Sequence, residues 1–449
     1  MALPLWLIAC GTSAQVTEPE PIDAVVIGRD SITLGKTGQA VLKVEVLDAS
    51  GQQIHGTQVT WTSSMPDVAS VEPHGIVTGL SRGATSVIAE ANGKADTAQV
   101  VVETGWSAIA ASIGLKHTCG VTVDGLAYCW GANDRGQLGD NTTADRHSPT
   151  RIGDDALRFT DIVAGSLYSC ALTDTRAIHC WGANHLGQIG NSTTDDQLTP
   201  TPVSSDVEYL DLSAGSEHAC ARTNTSLHCW GSNQTQQLGL LSVGTDDHAV
   251  APIAVLESFA FSSVKAGVFH TCGLQAGVAY CWGANDFAQL GTGEESFSQH
   301  DPVTVAAPTP LESLGPALQH TCGIDGEATI YCWGLLFDSA APVAPQLFAD
   351  GDFDVVTSGW RHVCAISSSR VTTECWGVNA VGQVGDGTTS NRAIPTGVAS
   401  VVEFIQVTTG HFHTCGIGLN RLAYCWGSNE RGQLGNGTTA DMQLLPEEV

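Results

Sequence analysis

Apolar and polar residues alternate with a period of two through many short stretches of this chain. Examples are AVLKVEVLD (40–48), FTDIVAG (159–165) and AIHCWG (177–182), each bounded by glycine-containing turns. Such alternation predicts strands with one buried face. Helix-forming runs with a 3.6-residue period are hard to find. The predicted fold class is therefore all-β.

The strands recur in a long period. A first cysteine falls at 119, 170, 220, 272, 322, 364 and 415, in steps of 51, 50, 52, 50, 42 and 51 residues. Each is followed by a Cys-Trp-Gly and then by a loop such as GANDRGQLG. In the second unit, FTDIVAG, SCALT (169–173), AIHCWG and the stretch around PTPV (200–203) supply four strands. Seven units of about fifty residues with four strands each predict a seven-bladed β-propeller. The terminal residues 446–449 align with PTRI (149–152). The last strand is therefore expected to complete the first blade and close the ring, so that deleting the final six residues would open it.

The repeated Gly-x-x-His-Thr-Cys, Cys-Trp-Gly-x-Asn-x-x-Gly-Gln-Leu-Gly and Gly-Thr-Thr resemble the regulator of chromosome condensation repeat over residues 104–449. Residues 22–103 lack cysteine and this period. Their VTWTSSMPDVASVEPHGIVTGLSRG segment resembles the group 2 bacterial immunoglobulin-like domain, through Trp61, Ser63, Ser64, Val68, Ala69, Val71, Gly75, Val77, Gly79, Leu80 and Gly83. Trp61 is expected to fill a small sandwich core. Residues 1–21 resemble a lipoprotein signal and tether: Leu7-Ile8-Ala9-Cys10 fits a lipobox in which Cys10 is acylated, although no Lys or Arg precedes the apolar run.

The cysteines of the seven units fall into pairs. Cys119 is matched with Cys129, Cys170 with Cys180, Cys220 with Cys229, and Cys272 with Cys281. Cys322 is matched with Cys332, Cys364 with Cys375, and Cys415 with Cys425. Their separations are 9, 10 or 11 residues, and the turn between them lengthens or shortens symmetrically. Partners thus stay opposite each other across a hairpin, within reach of a disulfide. Zinc sites need four ligands, typically with cysteines about two to four residues apart, and redox motifs use Cys-x-x-Cys. The spacing favours disulfide clamps over reduced packing cysteines, and both over metal. Each clamp closes a loop worth about 3 kcal/mol or less in a preformed hairpin. Seven of them suit an oxidising compartment. Of fifteen cysteines, fourteen pair and Cys10 remains.

Eighteen basic against 46 acidic side chains give a net charge of −28, which disfavours nucleic acid as a partner. No apolar stretch is long enough for a spanning helix. Membrane association is expected only through the N-terminal lipid, and the chain is expected to be a monomer. The histidine two residues before each first cysteine (Tyr168 in unit two) recurs once per unit and is expected to anchor its loop. The seven Cys-Trp-Gly tryptophans are expected in the core. No catalytic set, cofactor motif or metal-ligand cluster stands out, so neither a cofactor nor enzyme activity is expected.

Function is then sought where the units differ. Two residues vary before each motif histidine, and two more after Trp-Gly-x-Asn. Among them Trp360, Arg361, His411, Phe412, Phe269 and Phe287 are of the types that anchor protein interfaces. Unit five, CWGLLFDSAAPVAPQLFADGD (332–352), lacks the Asn and the Gly-Gln-Leu-Gly loop. The resemblance implies several roles. Eukaryotic members exchange nucleotide on a small GTPase. Plant UV-B-sensing members use repeated Gly-Trp-Arg-His-Thr, present here once as GWRHV (359–363). Secreted bacterial propellers that inhibit an enzyme are closer in setting. The expected protein is an exported scaffold, tethered to the outer membrane or cell surface, that binds a protein partner. The alternative is an intracellular exchange-factor-like regulator of a small GTPase with reduced cysteines. A further reading, a hydrolase with a His/Asp set at the channel mouth, would show as activity lost on His411→Ala.

Overall fold

A computed structural model describes residues 21–240, 247–337, 339, 341–439 and 442–449. Cys10 and its lipobox lie outside the described residues. All regular elements among the described residues are strands. The chain divides into two compact units, Ala40–Val102 with the residues before Leu34, and Glu103–Val449 with Leu34–Gln39.

In the smaller unit, Gly83–Ala91 pairs antiparallel with Lys94–Glu103 on one side and Thr60–Ser63 on the other, and Ala69–Val71 pairs with Ile76–Gly79. Val46, Val68, Val77, Val87, Ala98 and Val100 fill its core. Trp61 differs from expectation. It sits on the short strand Thr60–Ser63, half-buried, with its ring against Gly75. Valine and alanine from the longer strands occupy the interior instead.

The larger unit holds seven four-stranded antiparallel sheets, each contiguous in sequence. In the first, Trp106–Ala111, His117–Thr122, Ala127–Gly131 and Arg146–Ile152 follow one another in order; in the seventh, Phe404–Thr409, His413–Gly418, Ala423–Ser428 and Met442–Glu448 do the same. The last strand does not complete the first sheet. Met442–Glu448 pairs with its own neighbour, Gln443 opposite Gly427 and Glu448 opposite Tyr424. Residues 446–449 resemble 149–152 because each ends the outer strand of its own sheet. The first and seventh sheets meet instead through isolated backbone bonds, such as Trp106 N–H to the Arg421 carbonyl at 2.8 Å, and through side chains. Gln406 Nε2 donates to the Ile109 carbonyl at 3.0 Å, and Trp130 Nε1 to the Gln433 carbonyl at 3.0 Å.

Within each sheet the second and third strands carry the cysteines directly opposite each other. In the first four sheets Cys119 is bonded to Cys129, Cys170 to Cys180, Cys220 to Cys229, and Cys272 to Cys281. In the last three Cys322 is bonded to Cys332, Cys364 to Cys375, and Cys415 to Cys425. The pairing is the one expected from the spacing. The Cα atoms of each pair are 4.0–4.1 Å apart whether the separation is 9, 10 or 11 residues, because the turn absorbs the difference.

Consecutive strand residues face opposite sides. The disulfide therefore packs toward the next sheet and the adjoining tryptophan toward the previous one. Cys119 and Cys129 share a cluster with Trp181, while Trp130 lies with Cys415 and Cys425. Likewise Cys322 and Cys332 lie with Trp376, and Cys364 and Cys375 with Trp426. All seven tryptophans are fully buried or nearly so.

The Gly-Gln-Leu-Gly loop supplies the joint between sheets. Asn133 folds it, donating to the carbonyls of Thr142 and Ala144 and accepting from the Leu138 amide, all at 3.0 Å. The Gln137 carbonyl then receives Trp181 Nε1 and the Ser169 hydroxyl, each at 2.9 Å. The Ser169 oxygen in turn accepts from His117 Nε2 at 2.9 Å. Because the hydroxyl proton goes to the carbonyl, the histidine must be the donor and carries its proton on Nε2. Gly139 ends the loop at φ +74° with the Trp181 ring so close that a Cβ would sit 2.8 Å from it.

The same relay joins His218–Thr271–Gln237, His270–Thr321–Gln289, His362–Thr414–Gln383 and, between seventh and first sheets, His413–Thr118–Gln433. Where Tyr168 replaces the histidine, Ala219 replaces the threonine, and Tyr168 Oη donates straight to the His218 carbonyl. The recurrent histidine thus ties one sheet to the next rather than holding its own loop.

Thr271→Val should leave His218 Nε2 unpaired and cost about 1–3 kcal/mol, read as a lower urea midpoint at unchanged slope. The buried motif histidines also set a pH dependence. Burial holds His117, His218, His270, His362 and His413 down to about 3, and His320 to about 4. The unfolded chain takes up those protons below about 6.5. Their stabilisation is therefore complete above that pH and falls on acidification by about 1.4 kcal/mol per ring per pH unit until the folded values are reached. Thermal unfolding should move to lower temperature between pH 7 and pH 5; an unchanged midpoint would contradict the neutral relay.

Candidate partner-binding face

The two variable residues before each motif histidine sit on a tight turn. Gly359 N–H donates to the His362 carbonyl at 2.9 Å and Gly410 N–H to that of His413 at 2.8 Å, which leaves the two residues between to project. Backbone bonds then link successive turns. Ser166 donates to Ser216, Ser216 to Val268, Val268 to Ala317, Trp360 to Gly410 and His411 to Ser112, at 2.9–3.2 Å.

The second variable pair comes to the same face. The residue after Cys-Trp-Gly donates to the carbonyl of the second turn residue in all seven units, for example Val378 to Arg361 and Ser428 to Phe412, both at 2.9 Å. Side chains cross between sheets as well: Lys116 pairs with Glu430, His185 Nε2 lies 3.7 Å from Glu217, and Thr235 Oγ1 donates to the Phe269 carbonyl at 2.9 Å. Two sets of positions that look separate in the sequence form one composite face.

Of the six residues singled out, four fall on two adjacent turns. The rings of Trp360 and His411 stack with centroids 3.6 Å apart and planes 8° from parallel, and His411 stacks on Phe412 at 3.9 Å. His411 is fixed in this sandwich by Nδ1–H donating to the Gly114 carbonyl at 3.0 Å. Burial, with Lys116 nearby, lowers its pKa to about 4, so the middle ring of the stack is neutral. Trp360 and Phe412 remain partly open to solvent, and Arg361 beside them is exposed. Aromatic anchors of fixed geometry with a cation alongside suit protein recognition.

Phe269 and Phe287 are not part of this group. Both belong to the fourth unit, Phe269 being 38% exposed and Phe287 half-buried, and among the described residues neither makes a ring contact with the stack. Gly114, Lys116 and Glu430 fix and flank the stack; Lys116 and Glu430 stand at variable positions but are not among the six residues singled out, and Gly114 carries no sequence signal of that role. Gly114 acts through its backbone carbonyl, and the ion pair joins residues 314 positions apart. No cluster of three or more metal-ligating side chains occurs among the described residues.

Residues 124–172, 177–222, 226–274, 276–326, 375–417 and 422–449 match the regulator of chromosome condensation (RCC1) repeat, and 21–102 match the bacterial Ig-like domain (group 2). The chain belongs to the RCC1-repeat family of β-propeller proteins and carries a group 2 bacterial Ig-like domain at its N-terminal side. The matched repeats pass over 327–374, which includes the loop where unit five departs. The Arabidopsis thaliana ultraviolet-B receptor UVR8 is 26% identical over 326 residues, 68% of this chain and 73% of the receptor. The mouse E3 ubiquitin-protein ligase HERC2 is 25% identical over 68% of this chain, which spans only 6% of that ligase. Among solved structures, yeast RCC1 (Prp20) in complex with Kap60 superposes with a TM-score of 0.63 at 20% identity, over 73% of this chain and 84% of that one. Human WBSCR16 gives 0.63 at 17%, over 73% and 92%. At these identities the structural likeness concerns the fold.

The His411 ring should stay neutral, and its NMR ring resonances constant, from pH 8 to about pH 5, moving only as the pH approaches 4. Titration near 6.5 would show that the stack does not shield it.

Proposed function

We propose that this protein is a non-catalytic binding scaffold that recognises a protein partner through the composite loop face, with Trp360, Arg361, His411 and Phe412 at its centre and Phe269 and Phe287 as outlying contacts. The observation that carries this reading is the three-ring stack: large apolar area held rigid before any partner arrives, so that little conformational entropy is lost on binding. The family context supports it. A solved propeller of the same fold, yeast Prp20, was seen bound to Kap60 and studied for its binding to Gsp1p and histones.

The scaffold acts outside the cytoplasm, tethered to the outer membrane or cell surface through Cys10. Seven buried disulfides support export, because reducing compartments do not maintain them. The bacterial Ig-like domain supports a surface setting, and the net charge of −28 argues against a chromatin-like role.

Two measurements test this reading. Intact mass of protein from its native host, with and without reduction, should show seven disulfides and an acylated N-terminal Cys10; fourteen free thiols on an unprocessed chain would favour the intracellular exchange-factor reading. Once a partner is in hand from crosslinking on whole cells, Trp360→Ala should weaken binding by about 2–4 kcal/mol, or about 30-fold or more, while Val401→Ala on the periphery should not.

A further inference from the structure

The junction between the fifth and sixth sheets lacks the relay found at five of the others and has no substitute like Tyr168. Unit five has no Gly-Gln-Leu-Gly loop, so no glutamine carbonyl meets Trp376, and Val363 stands where the acceptor threonine would be. Two ring nitrogens are left without a partner among the described residues. His320 is 5% exposed with its Nε2 buried and unpartnered, and the Trp376 Nε1–H, on a residue 2% exposed, has no acceptor. At the other six junctions the corresponding indole donates to a glutamine carbonyl at 2.9–3.0 Å.

Apolar side chains have not closed the gap. Phe348 stacks on the Trp376 ring at 5.3 Å, yet a small cavity of about 10 Å³ remains, lined by His320, Trp376, Leu336, Phe337, Phe348 and Arg361. That is room for about one water-sized group. The missing carbonyl oxygen is of that size. Arg361 gives the site its charge preference. Its guanidinium has no ion pair or hydrogen bond among the described residues, whereas Arg135, Arg146, Arg392 and Arg431 on neighbouring loops are each paired with aspartate. An unpaired cation, an unspent indole N–H and a buried imidazole nitrogen that is a donor when its single proton sits on Nε2 surround an oxygen-sized space and form a receptor for an anionic oxygen.

We infer that this junction is a carboxylate-recognition site, in which one oxygen of a carboxylate takes the place of the absent glutamine carbonyl between Trp376 and His320 while Arg361 neutralises its charge. The carboxylate can arrive on a small acid or on an acidic side chain of a protein, and the site stands whether or not the aromatic stack binds a partner.

The test is an NMR titration of the full chain, following tryptophan indole N–H resonances at constant ionic strength, with Trp376 assigned from Trp376→Phe. Acetate should shift the Trp376 indole saturably and leave the six carbonyl-bonded indoles in place. Acetamide, of the same shape but uncharged, should not shift it. Arg361→Gln, a surface change, should weaken the acetate response about tenfold. A peptide with a single glutamate that shifts the same resonance at lower concentration than acetate would identify a protein-borne source; no gain over acetate would identify a small acid. The inference fails if acetate leaves Trp376 unmoved, if acetamide acts equally (water or any neutral acceptor then fills the space), or if Arg361→Gln responds like the wild type.

Discussion

The larger unit depends on one backbone carbonyl at each of six of its seven junctions. The glutamine of each Gly-Gln loop offers its C=O to the tryptophan of the following sheet and, at most junctions, to a threonine or serine hydroxyl that a histidine then supplies from behind. Sheets in a propeller share no backbone ladder, so their contact rests on packing, on single backbone bonds between turns and on such side-chain bonds. A buried indole or imidazole N–H without an acceptor costs more than an ordinary hydrogen bond returns. That asymmetry explains why Asn, Gln, His, Thr and Trp recur together. Each is needed to satisfy another.

The disulfides act at a different level. Each closes a hairpin already made by the sheet and joins only its own second and third strands. They stiffen the sheets from within and pack against the next tryptophan, but none crosses a junction. Sheet-to-sheet cohesion and sheet stability thus have separate chemical origins. An acidic protein in an oxidising medium can keep both, since the relay is uncharged and the clamps are covalent.

The proposed binding face follows from the same framework. The glycine-bounded turns that present the relay histidines leave two residues free to vary, and backbone bonds between turns bring variable residues from adjacent sheets into contact. The Trp360–His411–Phe412 stack is one product of that closeness. The unfilled junction beside it arises where one loop was lost and its carbonyl with it. Both features lie around the fifth to seventh sheets.

The sequence alone determined the strand content, the seven units, the opposed cysteines and the burial of the Cys-Trp-Gly tryptophans, because these follow from local alternation and a regular period. It also marked Trp360, Arg361, His411 and Phe412 as departures from the repeat. Tertiary structure decided the rest. The histidine's partner lies in the next unit, about fifty residues away, where a single period carries no information about contact. The final strand resembles an outer strand of the first sheet yet completes the seventh, because likeness in a repeat gives position within a unit and not which unit it joins. Phe269 and Phe287 stand apart from the stack for the same reason. Equivalent positions are related by the ring's rotation, and only the folded ring determines which of them become neighbours.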